Sequence, residues 1–222
     1  IHPLWEGAKI DITWNVSWSE NKNISLESDQ FGNITIINTI ATGSLNKSFL
    51  SLPSSFPFVQ SGIDKVHSLY NPNAPNPRQS LTDAFVEGLE SAPFISGLPV
   101  FSEIQQYIPR PNWRFTWDGL EKFLFFKQIA QRISLDHAYT SSYVQGWKLT
   151  TSGTEEIQTQ RIEYGFTPFA GLNLTFGELW GGNLTGSIKF SSRTAYDLGV
   201  STTNITETSS TDIGFTASYS NA

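Results

Sequence analysis

Residues 9–18, KIDITWNVSW, set an apolar side chain at every even position, Ile10, Ile12, Trp14, Val16 and Trp18, and a polar one between, at Asp11, Thr13, Asn15 and Ser17. Period-two alternation is the signature of a β-strand whose two faces meet different surroundings, because successive side chains leave a strand on opposite sides. The same period returns after residue 113. Trp113, Phe115 and Trp117 share one parity, as do Ile133, Leu135, Tyr139 and Tyr143. Ile162, Tyr164, Phe166, Leu172, Leu174 and Phe176 form a longer run, followed by Leu184, Ile188, Phe190, Tyr196, Leu198 and Val200, and then by Ile213, Phe215, Ala217 and Tyr219. The pattern predicts about seven strands, mostly antiparallel neighbours joined by the short links GELWGG and STTNITETSS. In the run NITIINTIATGS the alternation slips at Ile36-Ile37, which predicts a bulge.

Composition divides the chain into three zones. Residues 1–50 carry a first strand pair, and 113–222 carry the rest of the strands. Between them, 51–112 holds nine of the 11 prolines, which central strands do not accept. This zone is one long inserted loop. Within it Ser80 and Asp83 read as an N-terminal cap pair for a helix whose face is Leu81, Phe85 and Leu89, and a second short helix is expected over 100–108. The stretch GLEKFLFFKQIAQR, in a linking segment at 119–132, breaks the alternation with mixed apolar and basic residues and predicts a short amphipathic link at an interface.

The alternation leaves open what the apolar face touches: a core, a ligand or lipid. A soluble β-sandwich alternates too, but its strands are usually ~5–6 residues long, and here alternation runs over 161–176 and again over 184–200. Transmembrane β-strands need only ~9–11 alternating residues. Trp18, Trp113, Tyr143, Trp147, Tyr164, Trp180, Tyr196 and Tyr219 are expected as aromatic girdles at strand ends. The lipid side is then Ile10, Ile12, Trp14, Val16, Trp18, Tyr164, Phe166, Leu172, Leu174 and Phe176. The water side is Asp11, Thr13, Asn15, Arg161, Glu163, Asn173, Lys189, Arg193 and Asp197.

Other classes find little support. A formal charge of −6 argues against a nucleic-acid partner, and with no cysteine there is neither a disulfide framework nor a thiolate metal site. The histidines His2, His67 and His137 stand far apart, and no metal-binding, phosphate-loop or nucleophile motif is present, so neither catalysis nor a cofactor is expected. No run of 18 apolar residues could form a membrane helix. With Ile1 first and no methionine, the sequence reads as a processed or excised piece. Seven N-x-S/T triplets, beginning at Asn15, Asn23, Asn33, Asn46, Asn173, Asn183 and Asn204, are read as part of a wet sheet face and not as glycan acceptors.

The second half carries a resemblance. NWRFTWDGLEKFLFFKQIAQRISLDHAYTSSYVQGW, followed by FTPFAGLNLTFGELWGGNLTGSIKFSSRTAYDLGVSTTNITETSSTDIGFTASYS, resembles the SprA/Sov family, the outer-membrane translocon of the bacterial type IX secretion system. The matching positions include Gly119, Leu120, Lys122, Phe126, Lys127, Leu135, His137, Tyr139, Ser141, Tyr143, Asn183, Leu184, Thr185, Arg193 and Thr194, then an I-T-E-T turn with Thr206, Glu207 and Thr208. Residues 1–112 are similar only in style.

The resemblance implies that the chain is a sector of a large transmembrane β-barrel, antiparallel throughout. Its aqueous interior would pass folded cargo proteins across the bacterial outer membrane, in some bacteria also supporting gliding motility. Implied partners are the secreted cargo, other secretion-system subunits (a plug and lipid-anchored or barrel proteins) and outer-membrane lipid. The 51–112 insertion is expected at one barrel mouth. Two alternatives remain: a soluble carbohydrate-binding or adhesive β-sandwich, and an outer-membrane porin or ligand transporter.

Overall fold

The computed structural model describes residues 6–51, 61–90, 110–123, 126–127, 129–150, 153–179 and 181–221. They form one antiparallel sheet of eight strands with two helices set on it. The strands are β1 (Ala8–Thr13), β2 (Val16–Ser28), β3 (Ile34–Lys47), β4 (Asn112–Asp118), β5 (Arg132–Leu149), β6 (Glu155–Leu179), β7 (Gly182–Gly199) and β8 (Asn204–Asn221). The helices α1 (Gly62–Leu69) and α2 (Pro77–Leu89) belong to the insertion. The sheet is open, with β8 at one edge and the β1–β2 run at the other.

Its topology hides a simpler plan. β4 pairs with β5 from Ser134 to Tyr139, and β3 pairs with the same edge of β5 from Tyr143 to Lys148. β1 pairs with β4 and β2 with β3. β3 and β4 are thus two halves of one long strand, and the insertion leaves it midway along its length. Hydrogen bonds close the wound: Ser48 N–H donates to the Asn15 carbonyl at 2.8 Å, Arg110 N–H to the Ser48 carbonyl at 3.2 Å, and Ser141 N–H to Asn112 Oδ1 at 2.8 Å. These pair backbone groups that the interrupted ladder would leave orphaned.

The β2–β3 hairpin outruns β5, whose pairing to β3 ends at Thr42. Its tip is set by Asp29, whose Oδ1 accepts from the N–H groups of Phe31 and Asn33 at 2.8 and 2.9 Å, while Gly32 takes φ +80°. The bulge expected at Ile36-Ile37 is present: Ser25 pairs with Asn38 and Leu26 with Ile36.

In the insertion α2 begins at Pro77, preset for the first helical position, with Asn76 as the cap accepting from Gln79 N–H at 3.2 Å. Ser80, expected as the cap, lies one turn inside and its Oγ accepts from Asn71 N–H at 3.0 Å. The α2 face is the one its spacing indicates, with Leu81, Phe85 and Leu89 buried. Helix α1 was not anticipated; Gly88 lets it approach, since a Cβ there would lie 2.6 Å from the Val66 backbone nitrogen. The helix expected over 100–108 lies outside the described residues.

Among its described residues, the link expected to be amphipathic between β4 and β5 shows no α-helix. It is a single 3-10 turn, Leu120–Lys122, followed by further turns, and it folds back so that Leu120 and Ala130 pack with Ile133 against Trp117, Leu135, Leu172, Leu174 and Phe176. The link STTNITETSS is also shorter than expected. β8 starts at Asn204, so Thr206, Glu207 and Thr208 are strand residues and not a turn, because the reversal is completed at 200–203 with Thr203 at φ 52°.

Candidate functional site

Register sorts the strand residues into two faces. Ile10 opposes Phe115, which opposes His137; Leu135 opposes Leu172, which opposes Ile188, which opposes Phe215. Ile10, Ile12, Trp113, Phe115, Trp117, Ile133, Leu135, Leu172, Leu174, Ile188, Phe190, Ile213, Phe215 and Tyr219 therefore share one apolar face. On the other face lie Asp11, Thr13, Arg161, Glu163, Asn173, Lys189, Arg193 and Asp197. Asn15 sits at the β1–β2 junction, where its backbone meets Ser48.

The apolar face is covered unevenly. Over its upper part, Phe49, Val66, Leu81, Ala84, Phe85 and Leu89 of the insertion bury Tyr139, Tyr143, Ile162, Tyr164, Tyr196 and Leu198. Tyr164 and Phe166, expected against lipid, are each only 4% exposed. Tyr164 belongs to the cluster under the insertion, and Phe166 is enclosed by Tyr139, His137 and Phe169, the last edge-on at 5.2 Å. Tyr143, Trp147 and Tyr196 are likewise buried and form no girdle at a strand end; Trp180 lies outside the described residues.

Polar groups hold the insertion down. Tyr139 Oη accepts from Ser51 N–H at 2.9 Å and donates to the Ser51 carbonyl at 2.8 Å, and Ser51 Oγ donates to the Leu89 carbonyl at 2.8 Å. His137 is packed: Trp113 Nε1–H donates to its Nε2 at 3.1 Å, and its Nδ1 lies 2.6 Å from the Phe169 carbonyl, which fits the tautomer protonated on Nδ1.

Elsewhere the apolar face is open. Ile10 is 59% exposed, Trp18 60%, Ile213 63% and Phe215 70%, with Ile12, Trp14, Val16, Ile188, Phe190 and Tyr219 also exposed. Leu172, Leu174 and Phe176 are half-buried beneath the β4–β5 link.

These open residues form an oblique band. On the β1–β2 edge it runs from Ile10 to Trp18, centred on Trp14; Glu20 and Lys22 follow on the same face and separate it from a second exposed apolar patch near the hairpin tip, Ile24, Leu26, Ile34 and Ile36. On β8 it runs from Ile213 to Tyr219, centred on the level of Thr216, above which stand Thr211, Ser209 and Glu207. Thr216 is level with Ser187, Asn173, Ser134, Asp118 and finally Gly7. From Gly7 to Trp14 the centre has climbed about seven residues, or ~23 Å at ~3.3 Å each, across five strand spacings of ~4.8 Å, or ~24 Å. The band thus crosses the strands at ~44° to their perpendicular.

The opposite face is laced with ion pairs. Arg114 binds both Asp136 oxygens at 3.1 Å, and Arg161 reaches Asp197 at 2.7 Å and Glu163 at 3.0 Å. Arg193 pairs with Glu163, Arg132 with Asp118 at 3.7 Å, and Lys9 with Asp11 at 2.7 Å. The remainder is largely Ser, Thr and Asn: Ser134, Thr140, Ser142, Ser187, Thr206, Thr208 and Ser210. Alternation identifies which residues share this face, but their pairing needs the register.

Among the described residues, no group of three or more His, Asp or Glu side chains is gathered as for a metal ion, and no helix is long and apolar enough to cross a membrane, which bears on helices alone. No family model matches the chain, and no curated protein matches it.

Proposed function

We propose that this chain is a sector of the wall of a protein-conducting β-barrel in a bacterial outer membrane, with lipid against the open apolar band and cargo passing along the ion-paired face. The observation that carries this reading is the band's obliquity. In a barrel the membrane plane cuts the strands at their tilt, typically ~35–45°, and the ~44° climb falls within that range. A band perpendicular to the strands would have spoken for a flat sheet on a partner.

Three further features support it. Strands of 18 and 25 residues are longer than one crossing requires, leaving room for a covered zone beyond the lipid. The sheet is six strand positions wide, so the strands beside its two edges can also run antiparallel, as an even-numbered barrel needs. Its edges, 18 residues long on β8, present unpaired backbone that barrel closure would remove. Cargo as the thing conducted rests on the sequence resemblance to the SprA/Sov translocon family. A soluble module draws on one observation, the insertion covering part of the apolar face, but it leaves the rest of the band in water.

The test is site-specific photocrosslinking in secreting cells. A photoreactive residue at Asn173 or Ser187 is expected to trap exported proteins, and one at Ile188 or Phe215 to give no cargo adduct. Adducts from the second pair alone, or from neither, would overturn the reading.

A further inference from the structure

Every arginine on the polar face of the described sheet is already matched by a carboxylate. Arg114 is held by Asp136, Arg132 by Asp118, Arg161 by Asp197 and Glu163, and Arg193 by Glu163. These partners come largely from neighbouring strands or from the other half of the same pair, so opposite charges alternate across β4–β7 instead of gathering into a patch of one sign. Lys189 and Asp212 continue the pattern on β7 and β8, where Lys189 opposes Gly214 and Ser191 opposes Asp212. Around the Arg161–Glu163–Arg193 group the surface is lined by Thr208 and Ser210, whose hydroxyls offer hydrogen bonds but no charge, and by the methyl group of Ala195.

From this arrangement we infer that the polar face is built to be electrically neutral at the scale of a passing protein and does not select cargo by charge. The inference rests on the barrel reading above and names its substrate class: folded polypeptides of either net charge, which slide past the wall without being held. The physical reason is range. Opposite charges within ~3 Å of each other form a dipole, whose field falls off faster than that of a single charge, and salt screens what is left beyond ~8–10 Å. A cargo carboxylate or ammonium would have to break an existing pair to bind, and an exposed pair exchanged for another exposed pair gains little. Among the described strand residues the register places the large apolar side chains on the opposite face, apart from Ile40 and Val144.

These 222 residues contain no cysteine, so an introduced thiol has no competitor within this sector. Thr208→Cys and Ser210→Cys are introduced singly into the protein in its native membrane. Their reaction rates with a cationic and an anionic methanethiosulfonate reagent are compared with those of a small thiol in the same buffer. The cation-to-anion rate ratio is expected within about threefold of the free thiol, as for a site with no uncompensated charge nearby. Adding Glu163→Gln, which leaves Arg193 without its partner, is expected to shift the ratio toward the anionic reagent by about threefold or more. A starting ratio displaced tenfold in either direction would show a charged, selecting surface and refute neutrality while leaving the wall intact. Failure of both reagents to reach either cysteine would mean that this face is buried in protein, and would refute the wall reading together with the inference.

Discussion

Replacing Tyr139 by Phe removes one oxygen from the centre of the insertion's attachment. Tyr139 is fully buried, and its ring stacks on Trp113 with centroids 4.3 Å apart and planes 19° from parallel. Phenylalanine keeps that packing, so the hydrophobic contribution changes little. What is lost is the hydroxyl that accepts from Ser51 N–H at 2.9 Å and donates to the Ser51 carbonyl at 2.8 Å. Two backbone groups are left buried and unpaired, at ~1–2 kcal/mol each, and the flanking Ser51 Oγ is already committed to Leu89. A combined cost of ~2–4 kcal/mol is expected, borne by the docking of the insertion and not by the sheet. In hydrogen exchange this corresponds to ~30- to 1000-fold faster opening of α2, read at amides such as Leu89, with β6–β7 amides unchanged. Exchange in α2 within twofold of the parent protein would refute the assignment of this bond as the insertion's anchor.

Two further outcomes follow from the same geometry. Phe215→Arg, in the open band, is expected to lower stability in lipid bilayers by ~2–4 kcal/mol, whereas Thr208→Arg on the polar face should cost less than ~1 kcal/mol; chemical unfolding in bilayers, with equal effects at the two sites, would contradict the division of faces. At the hairpin tip, hydrogen bonds from the Asn33 side chain and backbone hold the Asp29 carboxyl below its usual range. A depressed pKa means that the stabilisation is fully present above the unfolded value of ~3.9 and is lost as pH falls through the lower folded value. Exchange at Phe31 and Asn33 amides, corrected for intrinsic rates, should therefore rise below about pH 4, and an Asp29→Asn variant should lack that rise.

Which residues share a face was legible in the sequence, because period two is a local property of the extended chain. Asp11 and Arg161 fall with the polar group, and Ile10 and Phe215 with the apolar one, as their parity indicates. The slip at Ile36-Ile37 was visible for the same reason. What covers each apolar residue was not legible. Tyr164 and Leu174 share parity and strand, yet one lies beneath α1–α2 and the other beneath the β4–β5 link. That difference comes from the level at which the insertion leaves the sheet, between Lys47 and Asn112; proline density marks the insertion in the sequence, but its level along β5 is set by the register. The α2 cap illustrates a smaller miss: Ser80 three residues before Asp83 mimics a capping signal, but Pro77 after Asn76 is the stronger start, since proline suits only the first turn. The ion pairs of the polar face were the least visible, because Arg161 meets Asp197 only through a register set along the whole of β6 and β7.

The most direct test of the account is a cysteine walk along the exposed edge strand, from Asp212 to Tyr219, in the protein in its native membrane. Reactivity toward a water-soluble thiol reagent and a lipid-phase one is expected to alternate. Cysteines at Asp212, Gly214, Thr216 and Ser218 should label from water, and those at Ile213, Phe215, Ala217 and Tyr219 from lipid. Odd positions shielded from both reagents, or labelled from water as readily as the even ones, would contradict a barrel wall.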